Sequence, residues 1–334
     1  MPENIAVLGA GAWGTALANM LTRNGHNVTL WARTADAADA INTQHRTPRL
    51  FNLPLHPDLR ADTDVGRVLT GVDAVVCVIV SHKLREFVRH ASPIWPRDAK
   101  VISASKGLEK NTCHRMTQVL AGELSQISQG QLAVLSGPNL AEEVALEKPA
   151  SSVVAGYHRD TTSFFHRLFH SERFRVYTSE DVVGVELGGA IKNVVAIAAG
   201  MCSGLGLGDN AVAAVAARGI AEIKRLGRVM GASPETFSGM AGFGDVIVTC
   251  CSQGSRNRRV GEQIGQGKAP VEAVSEKKTV AEGVHTVVAL YKLSQDLGVS
   301  LPISEIVYKV LFENFPAAKA AEQLMGRDAK SEVE

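Results

Sequence analysis

Net charge is almost absent from this sequence: 35 Lys and Arg side chains face 34 Asp and Glu among 334 residues, a formal +1. That balance leaves no broad electrostatic footprint for duplex DNA or an anionic membrane, so nucleic acid is not an expected partner. Cysteine is scarce as well. Cys77, Cys113, Cys202, Cys250 and Cys251 form no CxxC pair and no Cys/His ligand spacing, so no metal is expected. An odd number of thiols scattered along a chain of this length suits a reducing compartment, and a cytoplasmic location follows as the expectation. No stretch of about 20 residues is both continuously apolar and free of charge, so membrane insertion is not expected. The start, Met1-Pro2-Glu3-Asn4, lacks the basic and apolar regions of a secretory leader. Excess polarity is missing too, because 45% hydrophobic against 21% charged residues excludes intrinsic disorder. At about 150 residues per domain, the chain has room for two domains, each with its own core.

What is present begins with a short apolar run, Asn4 to Leu8, which reads as a buried strand. Gly9-Ala-Gly11-Ala12-Trp13-Gly14 follows, then helical spacing from Thr15 to Asn24 and a second strand over Val28–Trp31. GxGxxG at the first turn of a strand–turn–helix–strand unit is the context that a dinucleotide site requires. Gly9 permits the tight turn, Gly11 lets a pyrophosphate approach the backbone, and Gly14 allows the helix to lie close on the strand. The helix N-terminus offers free N–H groups to the anion. The second strand ends Leu30-Trp31-Ala32-Arg33 with no acid until Asp36. A carboxylate for the ribose 2′-hydroxyl is therefore missing, and Arg33 suits a 2′-phosphate, so NADPH is expected beside NADH.

Further strands are read at Ala74–Val80, Val101–Ala104, Leu132–Leu135 and Val153–Ala155, with helices near Lys83–Ala91, Thr112–Leu124 and Leu140–Leu146. This alternation predicts a Rossmann-like, doubly wound α/β sheet over residues 1–180, whose ligands bind beyond the carboxyl ends of the strands. Lys106, just after one such strand, is a candidate cation for substrate or cofactor. Asn139 opens Asn-Leu-Ala-Glu142, a helix-cap signature.

After about Ser179 the strands cease, and an all-α domain is expected over 181–334. Its segment Val182–Met201 is apolar on nearly every side, yet it carries Lys192. The neighbours at helical spacing are Gly188, Gly189, Val195 and Ala196, so no acid on this helix pairs with the amine. The two glycines leave room for a ligand or another backbone. A buried lysine has a depressed pKa suited to proton transfer, which makes Lys192 the candidate catalytic residue. Asp245, in Gly242-Phe-Gly244-Asp245, is a carboxylate able to orient it, although Gly-Asp by itself reads as a turn. Gln253-Gly254-Ser255-Arg256-Asn257-Arg258-Arg259 gathers donors suited to a phosphate-bearing substrate. Lys277–Glu282 reads as loop and Thr286–Leu297 as an amphipathic helix. The apolar helical half is compatible with a homodimer and equally with burial inside one chain.

Taken jointly, Gly9-Ala-Gly-Ala-Trp-Gly-Thr-Ala-Leu17, Ala104-Ser-Lys-Gly-Leu-Glu109, Leu187-Gly-Gly-Ala-Ile-Lys-Asn-Val194, Gly239-Met-Ala-Gly-Phe-Gly-Asp245 and Ser255-Arg-Asn-Arg-Arg259 resemble the NAD(P)-dependent glycerol-3-phosphate dehydrogenases of the bacterial biosynthetic type. The resemblance runs from Ile5 to about Gly326. It implies an enzyme that interconverts dihydroxyacetone phosphate and sn-glycerol 3-phosphate with NADPH or NADH, supplying glycerophospholipid synthesis. It further implies that Lys192 transfers the proton. Lys106, Gly137, Asn139, Asp245, Ser255, Arg256 and Asn257 would contact substrate. Trp13, Arg33, Lys106, Ala141, Arg256, Val280 and Glu282 would contact cofactor. Ala12 and Asn139 depart from the family's usual serine, and serine or threonine, at those positions. A β-hydroxyacid dehydrogenase, which recognises a carboxylate in place of phosphate, and a non-catalytic dinucleotide sensor are the alternatives.

Overall fold

A computed structural model describes residues 1–275, 281–328 and 331–332. Its strands are β1 Asn4–Leu8, β2 Asn27–Trp31, β3 Arg60–Asp62, β4 Ala74–Cys77, β5 Lys100–Ser103, β6 Leu132–Ser136, β7 Ala150–Gly156 and β8 Phe174–Ser179. They form one sheet in the order β3-β2-β1-β4-β5-β6-β7-β8. Neighbours pair parallel, with β6 and β7 antiparallel. The chain order reverses between β1 and β4, which opens a crevice at the carboxyl ends of those strands.

Helices α1 Ala12–Arg23, α2 Ala35–Gln44, α3 Val65–Leu69, α4 Ser81–Ala91, α5 Met116–Glu123, α6 Ala141–Ala145 and α7 Arg159–Phe169 belong to this domain. Strand β1 shows why both faces need helices. Ile5 and Val7 point into a core with Leu17, Leu21 and Phe165, while Ala6 and Leu8 point into another with Leu84, Val88 and Leu120. A strand buried on both sides has no polar face to show water.

Several boundaries differ from the sequence expectation. Helix α1 starts at Ala12, ahead of the expected Thr15, so Gly14 lies inside its first turn. Strand β4 stops at Cys77, and residues 78–80 leave the sheet to enter α4 at Ser81. No helix forms at Thr112. Cys113 takes a left-handed backbone (φ 61°), and Leu108 pairs antiparallel with Arg115, so a loop fills 107–115 and α5 waits for Met116. Strands β3 and β8 and helices α2, α3 and α7 were not anticipated. Short strands with alternating exposure, such as Phe174–Ser179, give a weak apolar signal.

The helical domain comprises α8 Val182–Gly204, α9 Gly208–Val229, α10 Asp245–Cys251, α11 Arg256–Gly265, α12 Pro270–Ser275, α13 Glu282–Leu297, α14 Pro302–Phe312 and α15 Ala317–Met325. Helix α8 is its axis, packed by α9, α10, α11, α13 and α14. It is long and apolar enough to cross a membrane, yet 94% of its most apolar window is buried inside the molecule. Its crossing with α11 is backbone against backbone. A Cβ on Gly200 would lie 1.9 Å from the Arg258 carbonyl oxygen, and one on Gly261 would lie 1.9 Å from that of Ile197. Helix α13 begins at Glu282, a turn before the expected Thr286, and residues 276–280, including Val280, lie outside the described residues.

The two domains share apolar surface. Leu108 and Cys113, from the loop after β5, are buried in the helical core with Leu187 and Ile191. Val182 and Val185 of α8 pack with Val134, Val153 and Ala155 of the sheet. Because the α8–α11 contact leaves no space for a side chain, we expect Gly261→Leu to cost about 3 kcal/mol, the upper part of the range for overpacked cores. Urea unfolding followed by far-UV circular dichroism measures this; a loss below about 0.5 kcal/mol would mean that the crossing is not closely packed.

Candidate active site

Lys192 sits midway along α8 and is only 6% exposed. Its amine meets Asp245, the first residue of α10, which is completely buried. The turn expected at Asp245 is helical: Met240–Gly244 wind as a π-helix that runs directly into α10. One of the two glycines before Lys192 makes that approach possible, since a Cβ on Gly188 would lie 2.1 Å from the Ala241 carbonyl oxygen. The other, Gly189, lets α8 settle on Ser136 and on the aliphatic stem of Lys106.

Lys106 arrives from the other domain, on the loop after β5. Its ammonium donates to Asp245 Oδ2 at 2.7 Å and to the Gly137 carbonyl at 2.9 Å. One carboxylate thus holds a lysine from each domain, Oδ1 for Lys192 and Oδ2 for Lys106. Burial lowers the Lys192 pKa, Asp245 opposes that, and nearby Lys106 adds to it, leaving the amine at about 8. Such a group exchanges protons near neutral pH.

The sequence residues around this bridge divide into those with free chemistry and those committed to structure. Arg256 is exposed at the first position of α11, and Ser255 caps that helix by accepting from the Arg258 amide at 3.2 Å. The Ser255 hydroxyl proton remains available for an anion. Asn257 is a strut: it donates to Asn193 Oδ1 at 2.9 Å and accepts from the Gly283 amide at 3.0 Å, tying α11 to α8 and α13. Asn193 was missed in the sequence, although it adjoins Lys192 as a second polar residue in the same apolar run. Of the arginines after it, Arg258 faces Glu262 and Ser203, and Arg259 donates to the Gln253 carbonyl, so the cluster does not act as one patch. Asn139 does not cap a helix. Its carboxamide donates to the Ser151 carbonyl at 2.9 Å and accepts from Ser152 at 3.1 Å, and α6 is capped by Leu140 without a side-chain bond. The antiparallel β7 alongside offers stronger partners than the end of a short helix.

Glu282, at the first position of α13, is pushed up to about 7 by burial, against the pull of Arg256, Lys106, Lys192 and the Ser81 backbone.

The turn after β1 has the shape a dinucleotide needs. Gly9 has φ 120°, and a Cβ there would lie 2.8 Å from the Val78 carbonyl oxygen; one on Gly14 would lie 1.9 Å from that of Gly9. A Cβ on Gly11 would point into open space, and no side chain caps α1, so its first N–H groups face outward. The buried indole N–H of Trp13 has no partner among the described residues, a donor left over for a ligand. Arg33 lies exposed beyond β2, while Ala12 and Ala141 are half-buried at the starts of α1 and α6. No group of three or more His, Cys, Asp or Glu among the described residues is arranged to hold a metal.

Known proteins resemble this chain over nearly its whole length. Residues 4–162 match the family profile described as NAD-dependent glycerol-3-phosphate dehydrogenase N-terminus, and 181–322 match the corresponding C-terminus. A glycerol-3-phosphate dehydrogenase (NAD(P)+) of Shouchella clausii is 44% identical over 99% of this chain and 98% of its own. The Geobacter sulfurreducens protein of that name is 45% identical over 99% of both chains. The 2.1 Å crystal structure of the glycerol-3-phosphate dehydrogenase of Coxiella burnetii superposes with a TM-score of 0.93 at 36% identity, covering 98% of this chain and 99% of that one.

Removing the shared charge leaves the buried Lys192 and the half-buried Lys106 without the carboxylate they share. We expect Asp245→Asn to lower stability at pH 7 by about 3–5 kcal/mol, as for other broken buried pairs. Urea unfolding checks this, and a change under about 1 kcal/mol would show that the lysines do not depend on Asp245.

Proposed function

The chain belongs to the NAD-dependent glycerol-3-phosphate dehydrogenase family, and from that premise we propose how its residues divide the work. It is an oxidoreductase that interconverts dihydroxyacetone phosphate and sn-glycerol 3-phosphate with NAD(P)H. We assign residues 1–180 to cofactor binding and 181–334 to substrate binding and catalysis.

The glycine turn, Trp13 and the open start of α1 hold the dinucleotide, with Ala12 and Ala141 beside it and Arg33 for a 2′-phosphate. Val280, which lies outside the described residues, and Glu282 complete that set by resemblance. When bound, the reduced nicotinamide supplies the hydride for the ketone carbon. The protein's part is the proton. Lys192, protonated below pH about 8, gives its proton to the carbonyl oxygen, and in the reverse direction the neutral amine takes the hydroxyl proton. Lys106, held by the other oxygen of the Asp245 carboxylate, stabilises the substrate oxygen as negative charge develops. Asp245 keeps both amines in place. Arg256, the Ser255 hydroxyl and the start of α11 grip the phosphate, and Gly137, Asn139 and Asn257 shape the pocket around it. Grip at the phosphate orients a small ketone whose reacting carbon offers little else to hold.

The observation that carries this reading is the bridge of two lysines on one buried aspartate, in a chain that also holds the dinucleotide turn. A non-catalytic sensor needs no such amine, and a β-hydroxyacid substrate needs no phosphate grip. The direct test is oxidation of NADPH by the enzyme with dihydroxyacetone phosphate, run beside NADH; no turnover with either cofactor would overturn the reading. We extend it to a cytoplasmic enzyme that feeds glycerophospholipid synthesis and is compatible with a homodimer. Five free thiols and an α8 whose apolar surface is spent inside the chain support that placement.

We expect Lys192→Met to lower kcat by about 10²–10⁴-fold, the usual worth of positioned acid–base catalysis. In the wild type, kcat/KM for ketone reduction should fall as pH rises through about 8, because the proton donor is lost, while oxidation of the alcohol rises over the same interval. Profiles flat through that pH would remove Lys192 from the proton step. Arg256→Ala should raise KM for the phosphorylated ketone by about 10–100-fold, the worth of a hydrogen bond to a charged group, and change turnover of unphosphorylated dihydroxyacetone little. Equal losses with both ketones would argue against a phosphate grip.

A further inference from the structure

A second buried ion pair joins the domains one flank along from the first, and neither of its members has a part in the chemistry above. Glu186, on α8, is 7% exposed, as is Arg115, on the loop before α5. Glu186 Oε1 accepts from the Thr117 backbone amide at 2.8 Å, and Oε2 accepts from the Thr117 hydroxyl at 2.6 Å and from the Arg115 guanidinium. The same guanidinium reaches the Thr117 hydroxyl at 3.3 Å and the Tyr157 hydroxyl at 3.4 Å. Every oxygen of this carboxylate is thus satisfied from the other domain, and each contact is made out of water.

Both partners connect directly to the catalytic lysines. Glu186, Gly189 and Lys192 follow one another at i, i+3 and i+6, each about 60° round α8 from the last, with Gly189 between the other two and pressed on Ser136 and the Lys106 stem. On the other side, Arg115 is paired antiparallel with Leu108, which follows Lys106 by two positions and inserts into the helical core. The pair therefore clamps the segment that carries Lys106 to the helix that carries Lys192.

We propose that Glu186 is a positioning residue for this reaction: through Arg115 and Thr117 it sets the distance between Lys106 and Lys192 across the domain joint. The Asp245 bridge joins the two lysines only at their tips, and the contacts of α8 with the sheet beneath are nonpolar and without direction. A charged pair with additional N–H and O–H donors has one geometry. Misplacement of reacting groups by about 1 Å costs about 10²-fold in rate even when it originates away from the chemistry.

This rests on the functional reading above, so the wild type is assayed beside the variants; absence of turnover in the wild type indicts that reading, not the clamp. Glu186→Gln keeps an oxygen for the Thr117 amide and loses the charge that Arg115 needs. We expect its kcat with dihydroxyacetone phosphate to fall about 10–100-fold and the pH limb of Lys192 to move, with KM for NADPH within about twofold of wild type. Arg115→Met/Glu186→Gln removes the unpaired charge: its Tm should recover towards wild type while kcat stays low. Recovery of kcat together with Tm, or a folded Glu186→Gln with unchanged kcat and pH limb, would overturn the proposal. Thr117→Val, which removes one hydroxyl and no charge, covers the case in which Glu186→Gln does not fold; it should lower kcat by about threefold or more with the fold intact, and an unchanged kcat would again overturn the proposal.

Discussion

One buried carboxylate between two ammonium groups governs this molecule. Asp245 is fully enclosed, and its oxygens are taken by Lys192 from the helical domain and Lys106 from the sheet domain. A lone lysine in an apolar helix would shed its proton or unfold the helix. With Asp245 it keeps the proton at neutral pH but holds it loosely, because burial and the second lysine offset the carboxylate. The same three groups tie the domains together, since parting them would separate Lys106 from Asp245. Structure and chemistry here depend on one electrostatic arrangement.

Glycine is what allows charged groups to meet inside so apolar a setting. Gly188 admits the Ala241 backbone, Gly189 admits Ser136 and Lys106, and the α8–α11 crossing places backbone directly on backbone. Each close approach replaces a side chain with a peptide group, and together they bring the starts of α10 and α11 alongside the middle of α8. A helix that could serve as a membrane span by composition is used instead as the spine that carries Lys192 and packs the start of α11.

Much of this was legible in the sequence, and the legible parts share a cause. The glycine turn was readable because its requirements are local: a strand, a tight turn, a helix start. Lys192 was readable because a cation in a continuously apolar helix violates burial energetics wherever the helix lies. The exchange of fold class at about Ser179 followed from the change in apolar period. What failed was local pattern overruled by distant partners. Asn139 looks like a cap until β7 is placed beside it, and Thr112 looks helical until Cys113 turns left-handed and Leu108 pairs with Arg115. Ser255-Arg-Asn-Arg-Arg259 looks like one basic loop, yet it is a helix start whose arginines point to separate partners. The Glu186–Arg115 pair was invisible, because nothing at helical spacing from either residue announces the other.

The account stands on the state of one amine, and that can be read without turnover. With lysine side chains carbon-labelled and the Lys192 signal identified by its loss in Lys192→Met, an NMR titration of its ε-methylene reports the pKa directly. The account predicts a midpoint about 8, well below an ordinary lysine, and a further fall in Asp245→Asn as the stabilising carboxylate is removed. A midpoint at the ordinary value of about 10.4, insensitive to Asp245, would contradict it.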